Sequence, residues 1–265
     1  MRYPAGSVSL QYRDKQILHV VADGRYTTHS QLFQLVSLKG LESDRRHFNG
    51  RVRRLVRAQL MQKHVVAYLG KDVLYSITCA GIQALEQMGV TFLGGGYVKH
   101  HDAPTEAAIS HALEVNRIRL ALERSQKLSS WIPESLIRVL NLSPVCGYAK
   151  VYDAIAKVNV GDGVYAEFAL EYERTLKSEA RYEKIVAAIE SETRLGTFLY
   201  LSSSYAVAST LCRHFRGARH EILFAHVDDF VTDVLDTRVE SPNTHRHTTL
   251  HDALVYRAAL SLVSK

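Results

Sequence analysis

The apolar positions read as helices followed by a hairpin over the first part of the chain. Thr27, Thr28 and Ser30 offer caps ahead of Leu32, Phe33, Leu35 and Val36, which predicts a short helix ending at Lys39-Gly40. Ser43 then opens a second helix. In it Phe48, Val52, Leu55, Val56 and Leu60 recur at steps of three and four and mark a buried stripe. Two apolar runs, 64–69 and 73–77, flank Gly70-Lys71-Asp72 and predict a β-hairpin. Thr78 caps a further helix through Leu85 and Met88 that stops at Gly89. Leu93-Gly94-Gly95-Gly96 and the following His100-His101-Asp102-Ala103-Pro104 carry no core pattern and predict a linker over 94–104. The glycines have neither the spacing nor the strand and helix frame of a phosphate-binding loop.

Beyond the linker, Thr105 caps a long helix with Ile109, Leu113, Val115, Ile118 and Leu122 mostly inward. Two strands are predicted at Tyr148 to Val158 and Val164 to Glu173, joined by a turn at Gly161-Asp162-Gly163. Gly196 to Leu199 reads as a strand, and Tyr200 to Ser204 as its turn into a helix. Side chains alternate along a strand, so Glu171 and Glu173 share a face at ~7 Å spacing. A hairpin turning about Asp162 sets Asp153 opposite Glu171, and a slip of one residue would put it on the other face. Three acids then converge. Like charges at that range repel unless protonated or neutralised by a cation, and oxygen ligands of this kind suit Mg²⁺ or Mn²⁺. The plainer alternative is a solvent-facing strand side with unrelated acids.

Charge sharpens this picture more than composition does. The 265 residues suit one large domain or two small ones, and 46% apolar with 23% charged is ordinary for a folded chain. No run approaches the ~18–20 apolar residues of a membrane span, so no membrane insertion is expected. Met1 to Gly6 has no apolar stretch behind a basic end, so no secretory signal is expected. Cys79, Cys146 and Cys212 lack metal spacing and are expected to be three buried thiols; their odd number predicts a reducing, cytoplasmic setting. Residues 1–99 hold 14 Lys/Arg against 6 Asp/Glu, so the first third carries the whole basic excess of the chain's net +6. Arg45, Arg46, Arg51, Arg53, Arg54, Arg57 and Lys63 fall within 45–63 with no acid among them. Such a block attracts polyanions, and phosphate contacts supply most non-specific affinity for nucleic acid.

The helix, basic helix and hairpin, with Tyr75-Ser76-Ile77-Thr78-Cys79-Ala80-Gly81 leaving the hairpin, resemble a winged helix-turn-helix over about 25–90. The resemblance implies a recognition helix at 43–57 in a DNA major groove, contacts from Arg45, Arg46, Arg51, Arg53, Arg54 and Arg57, and a further one from Lys71 in the wing. Asp153 followed by Glu171-Tyr172-Glu173 resembles the PD-(D/E)xK nuclease core. With His111 to Asn116, Trp131 to Glu134, Tyr152 to Ala154 and Ala169 to Thr175 in order, the chain resembles the replication-relaxation family, nearest its MOBC class of plasmid relaxases. The resemblance implies a two-domain α+β or α/β protein: a winged helix at 1–93, a linker at 94–104, and a restriction-endonuclease-like mixed sheet flanked by helices at 105–265. It implies a strand nickase at a plasmid transfer origin, acting on double-stranded plasmid DNA with accessory mobilisation and coupling proteins. Asp153, Glu171 and Glu173 would hold the metal and, with Lys177, form the catalytic set.

Two departures bear on this. Tyr152 stands where the family has proline, and Glu173 where it has lysine. Lys177 is one place from which a positive charge could return, and Glu134 is a candidate fourth acid or an ordinary cap beside Pro133. The rival expectation is a non-catalytic replication or transcription regulator with a degenerate nuclease-like domain. His245-Arg246-His247 lacks the apolar centre of a His-hydrophobic-His metal strand and reads as a tail of exposed histidines. Tyr148 and Tyr152 read as same-face packing residues on a strand.

Overall fold

The computed structural model describes residues 9–90, 105–143 and 145–263, without the side chains of 244–247 and 261–263. The expected linker at 94–104 lies outside the described residues. The chain is mixed α+β and divides into two compact units, Met1–Leu120 and Ala121–Lys265.

The first unit contains α1 (Tyr12–Gly24), β1 (Thr27–Thr28), α2 (His29–Leu38), α3 (Arg45–Arg57), β2 (Met61–His64), a 3-10 turn (Ala67–Leu69), β3 (Leu74–Ile77) and α4 (Cys79–Gln87). Helix α5 (Glu106–Arg124) begins in it, and the division between units falls within this helix. Strands β1, β3 and β2 form an antiparallel sheet in that order. Local chemistry sets the helix starts. Thr28 accepts from the Gln31 N–H while Gln31 reaches back to the Thr28 N–H, a reciprocal cap. Asp44, one residue after Ser43, caps α3 by accepting from the His47 N–H at 2.9 Å. Thr78 caps α4 as expected. Gly81 lets α4 press against the chain entering β2, since a Cβ there would meet the Leu60 carbonyl at 2.1 Å. The predicted stripe of α3 is the buried one: Phe48, Val52 and Leu55 pack with Ile17, Leu18 and Val21 of α1 and Leu32, Leu35 and Val36 of α2. Asn116 of α5 is buried and donates to the Tyr26 carbonyl at 2.8 Å, and Arg119 pairs with Asp23 at 3.0 Å.

The hairpin differs from its expectation. Strand β2 covers 61–64, not 64–69, and Met61 pairs with Ile77. The apolar run beyond it is a loop in which Val65 is 81% exposed. Only Val66 and Leu69 of that run join a small cluster with Tyr26, Leu74 and Ile109.

The second unit is a seven-stranded sheet: β4 (Leu128–Pro133), β5 (Ala154–Gly161), β6 (Val164–Glu173), β7 (Thr197–Ser202), β8 (Glu221–His226), β9 (Arg238–Ser241) and β10 (Thr244–Thr249), adjacent in that order. Helix α6 (Glu134–Leu140) follows β4, and α7 (Glu179–Glu190) and α8 (Tyr205–His214) are crossovers that make β6, β7 and β8 parallel. The other neighbours are antiparallel. After β8 come α9 (Val227–Asp233), a 3-10 turn (Val234–Asp236) and, at the end, α10 (Leu250–Val263), which packs on β5 and β6. The turn at 161–163 holds three successive positive φ angles, 116, 49 and 73°, which Gly-Asp-Gly tolerates. One face of the sheet carries a closed aromatic layer with Ala169, Phe198, Tyr200, Phe224 and, from α8 and its end, Leu211 and Phe215.

Four expectations are corrected. Tyr200 to Ser202, expected in a turn after a strand over 196–199, belong to β7 itself, which pairs in register with β6 as far as Ser202. The first strand of the acid-bearing hairpin starts at Ala154, and Tyr148 and Tyr152 sit in the loop before it, ring to ring at 6.4 Å. Residues 244–249 are an edge strand, not a tail; the side chains of His245 and His247 lie outside the described residues. Cys79 and Cys146 are exposed and only Cys212 is partly buried, its thiol pushed up to about 11 chiefly by burial.

Candidate functional site

The acids of the second unit are placed by strand register. Ala154 pairs with Leu170 and Ile155 with Ala169, so Asp153, at the head of β5, stands beside Glu171 as the hairpin arithmetic requires. The Asp153 carboxylate accepts from the Tyr172 N–H at 2.7 Å, and its carbonyl accepts from the Glu134 N–H at 3.1 Å. Glu134 itself pairs with Arg138 one turn along α6.

Glu171 and Glu173 point to the side of the sheet that carries Ala169 and the aromatic layer, because alternation fixes them there. They are not solvent-facing. Their side chains are only 15% and 8% exposed. A buried carboxylate requires compensation, and each has its own ammonium: Lys150 pairs with Glu171, and Lys177 with Glu173. Burial nonetheless pushes the Glu171 carboxyl up to about 7; Lys150 pulls against the rise and the charge of Asp153 adds to it. The site lies at the carboxyl ends of the parallel strands β6 and β7, the edge where open α/β sheets bind ligands.

The loop bearing Lys150 is anchored by a residue that sequence reading did not single out. Glu192 is buried and accepts from the Ala149 N–H at 2.9 Å, the Tyr152 hydroxyl at 3.1 Å and the Arg194 N–H at 2.9 Å. Burial, then the charge of Glu192, holds the Tyr152 hydroxyl far above the ordinary phenol range. Lys177 is fixed from its own backbone, whose N–H donates to the buried Tyr182 hydroxyl at 3.1 Å. Lys150 was missed because no spacing rule links it to Glu171; its only sequence signal is a lysine three residues before the aspartate.

Two carboxylates side by side, with Glu171 strained by burial and by its neighbour, are a donor pair that fits a hard divalent cation. Among the described residues no group of three or more His, Cys, Asp or Glu is arranged to hold a metal ion.

In the first unit the arginines of α3 separate into two groups. Arg51 and Arg54 turn inward to the fully buried Asp14 of α1, at 3.3 and 2.5 Å, and Arg51 also reaches Glu42 at 3.5 Å. These pairs tie Arg51 and Arg54, both expected to contact DNA, into the fold of the first unit. Arg45, Arg46, Arg53 and Arg57 are exposed, Arg45 lying over the Phe33 ring at 4.8 Å. Arg46, Asn49, Gly50, Arg53 and Arg57 make one outward stripe, and Lys63 and Lys71 are exposed on the hairpin.

In comparisons with protein-family models, curated proteins and solved structures, nothing matches this chain. Among the described residues no helix is long and apolar enough to cross a membrane.

Proposed function

We propose that the chain is a divalent-metal-dependent DNA strand nickase, in which the first unit grips duplex DNA and the second cleaves one phosphodiester. The observation that carries this reading is the pairing of Asp153 with Glu171 on the buried side of a hairpin, with Lys150 on Glu171. Support for the grip comes from the order α2, α3, β2, β3, a helix-turn-helix followed by a wing, with four exposed arginines on the second helix. The further specification of a relaxase at a plasmid transfer origin, with mobilisation and coupling partners, rests on the family resemblance.

Asp153 and Glu171 would hold Mg²⁺ or Mn²⁺. When bound, such an ion polarises a phosphodiester and lowers the pKa of water. The Tyr172 N–H orients Asp153, and Glu192 fixes the loop that presents Lys150. Lys150 brings to Glu171 the positive charge that the family places at position 173. Glu173 is engaged by Lys177, so that pair would hold charge beside the metal-holding acids.

One observation favours the non-catalytic rival: Glu171 and Glu173 are already compensated by lysines, so the fold does not depend on a cation. Relaxation of supercoiled plasmid with and without Mn²⁺ decides between the two. Metal-dependent open circles from wild type, lost in Asp153→Asn, support the nickase; tight duplex binding with no nicking under any divalent ion supports the regulator.

A further inference from the structure

The second unit contains a buried hydroxyl with nothing to bond. Tyr200 is the residue of β7 in register with Glu171, so it lies on the same face of the sheet. It is 1% exposed, its ring held by Phe215 at 5.0 Å and Phe224 at 5.6 Å. Among the described residues its hydroxyl has no hydrogen-bond partner. Burial holds that hydroxyl well above the ordinary phenol range, and the charges of Glu171, Glu173 and Asp153 add to the rise, which places it within reach of the field of the acids.

An orphaned buried hydroxyl is destabilising, and phenylalanine would fill the same volume without that cost. Its neighbours in the layer, Phe198, Phe215 and Phe224, are phenylalanines. The cluster's other fully buried tyrosines, Tyr152 and Tyr182, have hydrogen-bond partners for their hydroxyls, Glu192 and the Lys177 N–H, whereas Tyr200, beside the carboxylates, has none among the described residues. An occupant that satisfies both sides must accept from an O–H and donate to carboxylate oxygens. Water does both, and a polar cavity with two or more such partners is where a buried water is stable.

We propose that Tyr200 and the carboxylates of Glu171 and Glu173 form a binding site for one water molecule, and that Tyr200 is the positioning residue for the water consumed in strand cleavage. The second half rests on the nickase reading; the water site does not. Lys150 pairs with one oxygen of Glu171 and Lys177 with one oxygen of Glu173.

The test uses the full chain and Tyr200→Phe. A crystal structure fine enough to show ordered water should place one within hydrogen-bond distance of the Tyr200 hydroxyl and of the Glu171 or Glu173 carboxylate, absent in Tyr200→Phe. A dry hydroxyl, or one bonded directly to a carboxylate, overturns the proposal. In metal-dependent nicking, Tyr200→Phe should lower kcat at least tenfold while KM for plasmid and the melting temperature stay within error. An unchanged kcat, or a loss matched by loss of folded protein, overturns the positioning role. If wild type does not nick with Mg²⁺ or Mn²⁺, the nickase reading and the positioning role fail together, and the crystallographic arm still decides whether the water site exists.

Discussion

The basic helix of the first unit and the acid-bearing strand of the second solve opposite electrostatic problems. On α3, four arginines face solvent with no acid on the helix, so their charge is available to a polyanion. On β6, two glutamates face an aromatic layer, so their charge is compensated inside the fold by Lys150 and Lys177. Surface charge is set by composition and can be replaced piecemeal. Buried charge is set by register and by the loops that bring in its partners, and it cannot be altered one residue at a time without leaving an orphan. Arg51 and Arg54 show that the division follows ion pairing to a buried partner and not residue type: they belong to the basic helix in sequence, but to the compensated class in structure, through the buried Asp14.

The largest effects are expected at the acids. Asp153→Asn and Glu171→Gln should each lower nicking by about 10²-fold or more, the scale of losing a catalytic acid–base or metal-holding group. Duplex affinity measured by titration should stay within about twofold, since α3 is untouched. Equal losses of nicking and binding would break the separation between gripping and cutting.

The next effect distinguishes the two kinds of arginine. Replacing Arg51 and Arg54 together by Ala strands the buried Asp14 and should destabilise the first unit by about 3 kcal/mol in urea unfolding. Adding Asp14→Asn should recover part of the loss by removing the orphaned charge. Replacing Arg46, Arg53 and Arg57 instead should leave the unfolding midpoint unchanged. If all three meet phosphates, it should reduce the slope of log affinity against log salt by about 3. A stable Arg51/Arg54 variant with weakened DNA binding would move those residues back to the surface class.

What was legible in the sequence follows the same line. The stripe of Phe48, Val52 and Leu55, the turn at 161–163, the bounds of β6 and the facing of Asp153 and Glu171 all come from periodicity and turn chemistry, which are local. Helix α1 was not anticipated because Ile17, Leu18, Val20, Val21 and Ala22 are nearly contiguous and Gln11 is a weak cap signal. The hairpin was shifted because Val65 is apolar yet exposed, which no alternation rule foresees. Strand β8 is buried on both faces over Ile222 to Ala225, so it has no alternation to read, and β4 has serines at its exposed positions. The ion pairs of Lys150 with Glu171 and of Arg54 with Asp14 join residues 21 and 40 positions apart, and only the tertiary fold brings them together.

The smallest expected effect tests the compensated carboxylate directly. Glu171 ordinarily titrates at 4.5 and is raised to about 7 in the fold. Below pH 4.5 it is protonated in both states, and its contribution to stability is fully present. As pH rises toward 7, the unfolded chain releases the proton while the folded chain keeps it, so stability falls with pH. Above 7 both states are ionised and the dependence ends. Glu171→Gln has no proton to release, so its stability should be flatter than wild type between pH 4.5 and 7. Among the groups held below their ordinary values, Asp44, Glu190 and Asp252 titrate lower, outside this window; His64, lowered from 6.5 by burial, falls within it and makes stability rise with pH, equally in wild type and in Glu171→Gln. Saturating Mn²⁺ should flatten the wild-type curve in the same range, because a bound cation favours the ionised carboxylate in the fold. Parallel wild-type and Glu171→Gln curves across this window would mean that Lys150 neutralises Glu171 fully, and that no strain remains there for a metal to relieve.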